Sequence, residues 1–256
     1  NVLIAGRTGV GKSTLINAVF QGDYAATGQG RPVTANTREI TKEGVPLTIF
    51  DTRGLEMADF ASTQQELERL VQRRGTDVDS NQHIHVAWLC IQEDGRRVED
   101  SEVALQEWLA RHMPVIAVVT KSRNDAGFRA EVQRLLPCCR NVVRVRALSE
   151  QFDDGHTMEP MGLVELVELT QECVPEGHRR AFAAAQKASV KLKVNRAHTV
   201  VVSSSGLAAA AGAIPIPFAD AAVLVPIQVG MLAGISACFG MELSTAFLTT
   251  LVVSAA

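Results

Sequence analysis

Residues 6–13 read Gly-Arg-Thr-Gly-Val-Gly-Lys-Ser, directly behind the apolar run Asn1–Ala5 and directly ahead of a segment whose Leu15, Ile16, Val19 and Phe20 recur at helical spacing. Few folds accommodate three glycines and a lysine between a strand and an amphipathic helix. The glycines let successive backbone N–H groups curl toward one point, and the helix N-terminus adds the positive end of its dipole there. Such a loop holds a phosphate-type anion. Lys12 would neutralise its terminal oxygens, and the Ser13 hydroxyl is placed for Mg²⁺. Gly6, Arg7, Thr8, Gly9, Val10, Gly11, Lys12, Ser13 and Thr14 are the candidate phosphate contacts.

The same alternation of apolar run and helical pattern continues to about Cys173. PLTIFD precedes ASTQQELERLVQRR, IHVAWLCI precedes DSEVALQEWLARH, MPVIAVVT precedes DAGFRAEVQRLL, and NVVRVRAL precedes MGLVELVELTQE. This is the pattern of βαβ units around a parallel sheet with helices on both faces. TREITKEGV adds one antiparallel edge strand, for about six strands in one domain over residues 1–175.

A second element, Asp51-Thr52-Arg53-Gly54, closes the strand PLTIFD. A carboxylate at that strand end reaches Mg²⁺ through its water, and Gly54 lets its own N–H approach a γ-phosphate. GRTGVGKS, a Thr-rich loop (Pro32-Val33-Thr34-Ala35-Asn36-Thr37) and DTRG, in this order and spacing, resemble the translation-factor class of P-loop GTPases, particularly the Era, septin and immunity-associated relatives. The resemblance covers roughly residues 1–173 and implies a three-layer α/β sandwich that binds GTP and GDP with Mg²⁺. It further implies that Thr37, or Thr34, is the threonine that closes on Mg²⁺ and γ-phosphate. Ser13, Thr37 and Asp51 are then the metal-binding set, and Lys12, Thr37, Asp51 and Gly54 the residues that act on the γ-phosphate.

The sequence departs from that family in three places. Where Ras-like members carry a water-orienting Gln after the DxxG glycine, this chain has Leu55 and then Glu56, so slow intrinsic hydrolysis is expected. The Asn of potassium-activated relatives would fall at Gly9. The guanine-reading [NT]KxD begins as Thr120-Lys121, but its acid position is Arg123. The nearest carboxylate is Asp125, so either Asp125, or Asn124 through its carbonyl, reaches the base, or base specificity is relaxed toward ATP. Thr120, Lys121, Asp125 and Ala147, the last after the strand NVVRVR, are the expected base contacts.

Other constellations have plainer readings. His83 and His85 share one strand face without an obvious third ligand, which favours packing or hydrogen bonding over metal. Cys138 and Cys139 read as ordinary thiols, and five cysteines in odd number fit a reduced compartment. Trp88 and Trp108 sit at core spacing. Glu93-Asp94-Gly95-Arg96-Arg97 reads as a solvated loop, with a dimer contact or an arginine acting in trans as the sharper alternative.

Charge divides the chain. All 25 basic residues lie at or before Arg196, and the remaining 60 residues hold only Asp220 and Glu242. A soluble stretch of that length would carry roughly 15 charges. The first part, with 25 basic against 26 acidic residues, shows no basic excess that would suggest nucleic acid. Residues 176–196 predict a basic connecting helix, and 197–256 an all-α, small-residue-rich apolar domain. That domain resembles the uncharacterised apolar region that follows the GTPase domain in some bacterial Era-like proteins. Ala197–Ile214 and Ala221–Met241 approach the length of a membrane span. Gly230 and Gly234 form a GxxxG that faces Gly206, Ala210 and Gly212, and Asp220 is an expected helix cap. A spanning hairpin, a helical unit lying on one leaflet, and a self-packed helical domain or oligomer core are the three expectations. The first two place the nucleotide domain on the cytoplasmic side of the inner membrane. Beginning without Met inside one apolar run and ending inside another, the sequence reads as part of a longer protein.

Overall fold

The computed structural model describes residues 1–20, 31–34, 37–42, 45–52, 60–174, 182, 186, 190–212, 220–239, 241 and 243–255. The nucleotide unit runs β1 (Val2–Gly6), α1 (Lys12–Val19), β2 (Arg31–Thr34), β3 (Thr37–Lys42), β4 (Val45–Thr52), α2 (Phe60–Gly75), β5 (Val86–Gln92), α3 (Asp100–Ala110), β6 (Val115–Thr120), α4 (Phe128–Leu135), β7 (Asn141–Arg144), a small hairpin β8 (Glu150–Gln151) and β9 (Thr157–Met158), and α5 (Leu163–Cys173). Strands β1–β7 form one sheet in the order β2-β3-β4-β1-β5-β6-β7. The central pairings of β1 with β4 and β5, β5 with β6, and β6 with β7 are parallel, and β3 is antiparallel to both of its neighbours.

The sheet has one strand more than the six expected. Part of the Thr-rich segment, Arg31–Thr34, pairs with β3 and takes the edge position that β3 was expected to hold. Pro32 is compatible with this, because an edge strand can spare one backbone donor.

Burial on both faces explains the continuous apolar runs. In β1, Val2 and Ile4 join a core with Leu15, Ile16, Val19 and Leu166, while Leu3 and Ala5 join an opposite core with Leu67, Leu105 and Val132. At ~1.5–3 kcal/mol for each fully buried aliphatic side chain, these two layers hold the strand ends in place. Trp88 stacks on Phe20 at 5.8 Å and donates its Nε1–H to Thr170 Oγ1 at 2.9 Å. Phe182, the one described residue near the start of the connecting segment, packs edge-on against Phe20 at 6.1 Å and anchors that segment to the nucleotide unit. Trp108 is partly buried against the opposite core.

The tail forms α6 (Val190–Gly212), α7 (Asp220–Cys238) and α8 (Thr245–Ala255). Val229, Leu248 and Val252 make a small core between α7 and α8. Of the two GxxxG glycines, Gly234 is the one at a close approach. A Cβ there would lie 2.8 Å from Val200 Cγ1 on α6, whereas one at Gly230 or Gly206 would meet nothing within 4 Å. Among the described residues the close approach is therefore glycine against valine, not Gly230 or Gly234 against Gly206. Asp220 is the first residue of α7, and what precedes it lies outside the described residues. Among the described residues no helix is long and apolar enough to cross a membrane. The spanning hairpin expected from 197–214 and 221–241 finds no support in these helices: α6 begins inside the basic stretch and includes Lys193 and Arg196, and α7 carries Pro226 in its interior.

Candidate nucleotide site

The phosphate end grows directly from the β1–α1 junction. Gly6 has φ 144°, and a Cβ there would stand 2.5 Å from the Cys90 carbonyl oxygen of β5, so only glycine lets the two strands approach. Gly11 caps α1 with φ 97° and offers no side chain to the helix N-terminus, which leaves the first-turn N–H groups to a ligand. Lys12 is 8% exposed, and its ammonium donates to the Gly6 carbonyl at 2.7 Å and the Arg7 carbonyl at 2.9 Å. Burial lowers its pKa, and the neighbouring Cys90 and Asp51 oppose that shift. A partly desolvated cation held on weak carbonyl partners is a strong attractor for phosphate oxygen. Ser13 is exposed at the start of α1, Thr37 is buried at the first position of β3, and Arg38 beside it pairs across the strands with Asp51. Arg53, Gly54, Leu55 and Glu56 lie outside the described residues.

The base end is assembled from separate segments. A cavity of about 280 Å³ opens beside the loop, lined by Gly11, Thr14, Thr120, Lys121, Arg123, Ala147 and Glu150 among others. Thr120 turns its hydroxyl inward, within hydrogen-bonding reach of the Val10 carbonyl at 2.6 Å and the Ile91 carbonyl at 3.2 Å, and so ties the phosphate loop to β5 and β6. Lys121 has φ 52° and lays its stem toward Gly11, with its ammonium 3.4 Å from Gln92 Oε1. A flat aliphatic stem there suits the face of a purine.

The segment from Lys121 to Asp125 is braced from three sides. Glu93, 2% exposed, accepts the backbone N–H of Arg123 at 2.5 Å and of Asn124 at 2.9 Å on one oxygen. Its other oxygen accepts Arg144 Nε–H at 2.8 Å. Burial raises the Glu93 pKa, but these donors outweigh it and hold the carboxyl below the ordinary range. Arg96, itself at φ 43°, donates to the carbonyls of Asn124 and Asp125, and Arg146 donates to the Ser122 carbonyl at 2.9 Å. Asp125 does not line the cavity. Its carboxylate accepts the Arg129 N–H in the first turn of α4 at 2.8 Å and lies 3.6 Å from Arg144. Arg123 forms a two-point ion pair with Glu150, which keeps the Glu150 carboxyl below its ordinary range.

Of the expected base contacts, Thr120, Lys121 and Ala147 meet in the cavity and Asp125 does not. Glu93, expected in a solvated loop, is instead buried under this segment, and Arg144, Arg146 and Glu150 are not singled out by the sequence. The one available signal was that an arginine at the acid position demands a carboxylate from elsewhere. His83 bonds the Asp77 carbonyl and His85 the Ser80 carbonyl through their ring nitrogens. Cys139 is buried, with its thiol pushed up to about 12 by burial. Arg97 is exposed and pairs, like Arg7, with Glu99, beside a second cavity of about 210 Å³ on the other side of the loop.

A mostly parallel sheet, a glycine-capped loop with a buried lysine, and an acid at the end of the neighbouring strand are the features of a P-loop GTPase fold. The family described as 50S ribosome-binding GTPase matches residues 1–121. The chain is 29% identical over 183 residues to the tRNA modification GTPase MnmE of Paracidovorax citrulli, covering 69% of this chain and 37% of that protein. It is 32% identical over 126 residues to MnmE of Desulfotalea psychrophila, covering 47% of this chain and 24% of that one. The chain thus spans well under half the length of these relatives. Among solved structures, a probable GTP-binding protein engB aligns at TM-score 0.40 and 19% identity over 57% of this chain and 88% of its own.

Proposed function

We propose that this chain is a guanine-nucleotide switch that binds GTP and GDP, hydrolyses GTP slowly by itself, and passes its nucleotide state to the helices α6–α8. The observation that supports it most is continuity: the glycine-capped loop with Lys12 and the cavity floored by Lys121 share Gly11 as a common wall. Phosphates sit on the N-terminus of α1 and the purine lies along Lys121. Lys12 exchanges its two carbonyl partners for β- and γ-phosphate oxygens. The Ser13 and Thr37 hydroxyls and the Asp51 carboxylate are hard oxygen donors of the kind Mg²⁺ takes. Mg²⁺, when bound, neutralises charge on the phosphate oxygens. Water attacks the γ-phosphorus, the bond to the β–γ bridging oxygen breaks, and GDP and phosphate leave.

Slow turnover rests on Leu55, which cannot orient that water, and Gly54 is assigned the γ-phosphate contact by its place in DTRG. Val202, Leu207, Phe247, Leu251 and Val253 are exposed on α6 and α8. These side chains attach the protein to the cytoplasmic face of a membrane without crossing it. The test is direct. The full chain should bind fluorescent GDP and GTP in preference to ATP, turn over GTP slowly at low protein concentration, and float with anionic vesicles. Equal affinity for ATP would overturn the guanine assignment, and failure to float would overturn the attachment. The exposed Arg97 at the loop's rim favours a second reading, catalysis completed by a second copy, for which the rate would climb steeply with protein concentration.

A further inference from the structure

The base cavity needs an acceptor pair for a purine edge, and the residue aligned with the family acid is a cation. Asp125 is committed to α4 and Arg144, and Glu93 is buried beneath the loop with its oxygens on Arg123 N–H, Asn124 N–H and Arg144. Glu150, by contrast, lines the cavity, and its side chain is 32% exposed. It is the first residue of β8, three positions beyond Ala147, which lines the same cavity as Lys121.

Chemistry makes the Arg123–Glu150 pair informative. A guanidinium presents two parallel N–H groups joined through one carbon, and it grips a carboxylate as a fork. The edge of guanine formed by N1–H, C2 and the 2-amino group has the same arrangement. A carboxylate shaped and placed to take Arg123 two-point is therefore one that takes guanine two-point. Adenine places a bare acceptor at N1 and no amino group at C2, so it would set lone pair against lone pair.

Resting on the guanine-nucleotide reading above, we propose that Glu150 is the specificity-determining carboxylate for the base, and that Arg123 is a resident competitor which guanine displaces. Arg123 has somewhere to go, since Asp94 lies 4.0 Å from its guanidinium and the Phe152 ring 6.0 Å away. The substitution of arginine for the family acid is then a relocation of the acid to the start of β8, with a latch added.

The experiment measures equilibrium binding of GDP, GTP, ATP and xanthosine triphosphate to the full chain and its variants. Glu150→Gln should lower the preference for GTP over ATP by at least about tenfold, the scale of hydrogen bonds to a charged group. It should also strengthen binding of xanthosine triphosphate, whose C2 carbonyl accepts from the new amide, a gain that misfolding cannot produce. Arg123→Ala should tighten guanine nucleotides several-fold and keep the preference, and Asp125→Ala should leave the preference unchanged. A wild type that does not prefer GTP defeats the guanine reading itself. A wild type that does prefer it, with Glu150→Gln unchanged in preference and without the xanthine gain, overturns the assignment to Glu150 alone. So does a loss of preference in Asp125→Ala.

Discussion

The two ends of the nucleotide site are built on different plans. At the phosphate end, the groups offered to the ligand come from one short stretch: Gly6, Arg7, Gly11 and Lys12 belong to a single strand–loop–helix junction, and these groups are largely backbone. At the base end, the loop that carries Lys121 and Arg123 is held by Glu93, Arg96, Arg144 and Arg146, and its far wall is Glu150. One end is local and neutral in its framework; the other is long-range and ionic. Local frameworks tolerate change elsewhere in the chain, whereas a framework of buried charges fails when any one partner is removed.

The phosphate end gives the largest expected effect. Lys12→Ala removes the only side-chain cation described within the loop's own carbonyl ring and should weaken GDP and GTP by about a hundredfold or more, as loss of a desolvated charge contact costs ~2–5 kcal/mol. Because the ammonium contributes nothing to the base end, the preference for GTP over ATP should persist in whatever binding remains. Competition titrations with both nucleotides would show whether the two ends are separable, and a collapse of preference would break the comparison.

Next in size is the buried carboxylate under the base loop. Glu93→Ala removes the nearest partner of Arg144 and strands two backbone donors, and should cost about 3 kcal/mol in denaturant unfolding. Its folded pKa lies below the ordinary 4.5, so the stabilisation is fully present above that value and is lost as pH falls through the lower folded value. Wild type and Glu93→Gln should therefore differ at neutral pH and converge in acid. A constant difference across the acid range would mean that Glu93 acts by shape rather than charge.

Thr120 joins the two plans. The residue is 4% exposed, and its hydroxyl reaches the Val10 carbonyl across 110 residues of sequence. Thr120→Val keeps the shape and deletes the bond, so a loss of about 1–2 kcal/mol is expected. Nucleotide affinity should fall for GTP and ATP alike, since both depend on the same junction.

The contrast also explains what the sequence made legible. The alternation of apolar runs and helical patterns gave the three-layer sandwich because burial of both sheet faces leaves its mark on every strand. The phosphate loop was legible because its function needs glycines and a lysine at fixed local spacing. Strand β2 was not, since Pro32 and the threonines around it suit an edge strand as well as a loop. Glu93, Arg144 and Glu150 were not legible either. Each is an ordinary surface-type residue in sequence, and only the crossing of β5, β6 and β7 brings them onto one loop. In the tail, of the glycines expected at the helical seam Gly234 is at a close approach while Gly206 and Gly230 are not, because the register that sets Gly234 against Val200 depends on the helix crossing, which spacing alone does not determine.

The smallest effect falls on the residue that sequence reasoning favoured for the base. Asp125→Ala removes one acceptor from the first turn of α4, worth about 1 kcal/mol by analogy with helix caps, and one partly exposed partner of Arg144. Glu93 retains Arg144 and both backbone N–H groups, so the base loop should keep its path. The expected result is a small drop in the unfolding midpoint, with affinity and preference for GTP within twofold of wild type. If base preference fell while stability held, the carboxylate would be reading the base after all. The two ends would then differ less than their contacts indicate, because the base end too would take its recognition group from within one loop.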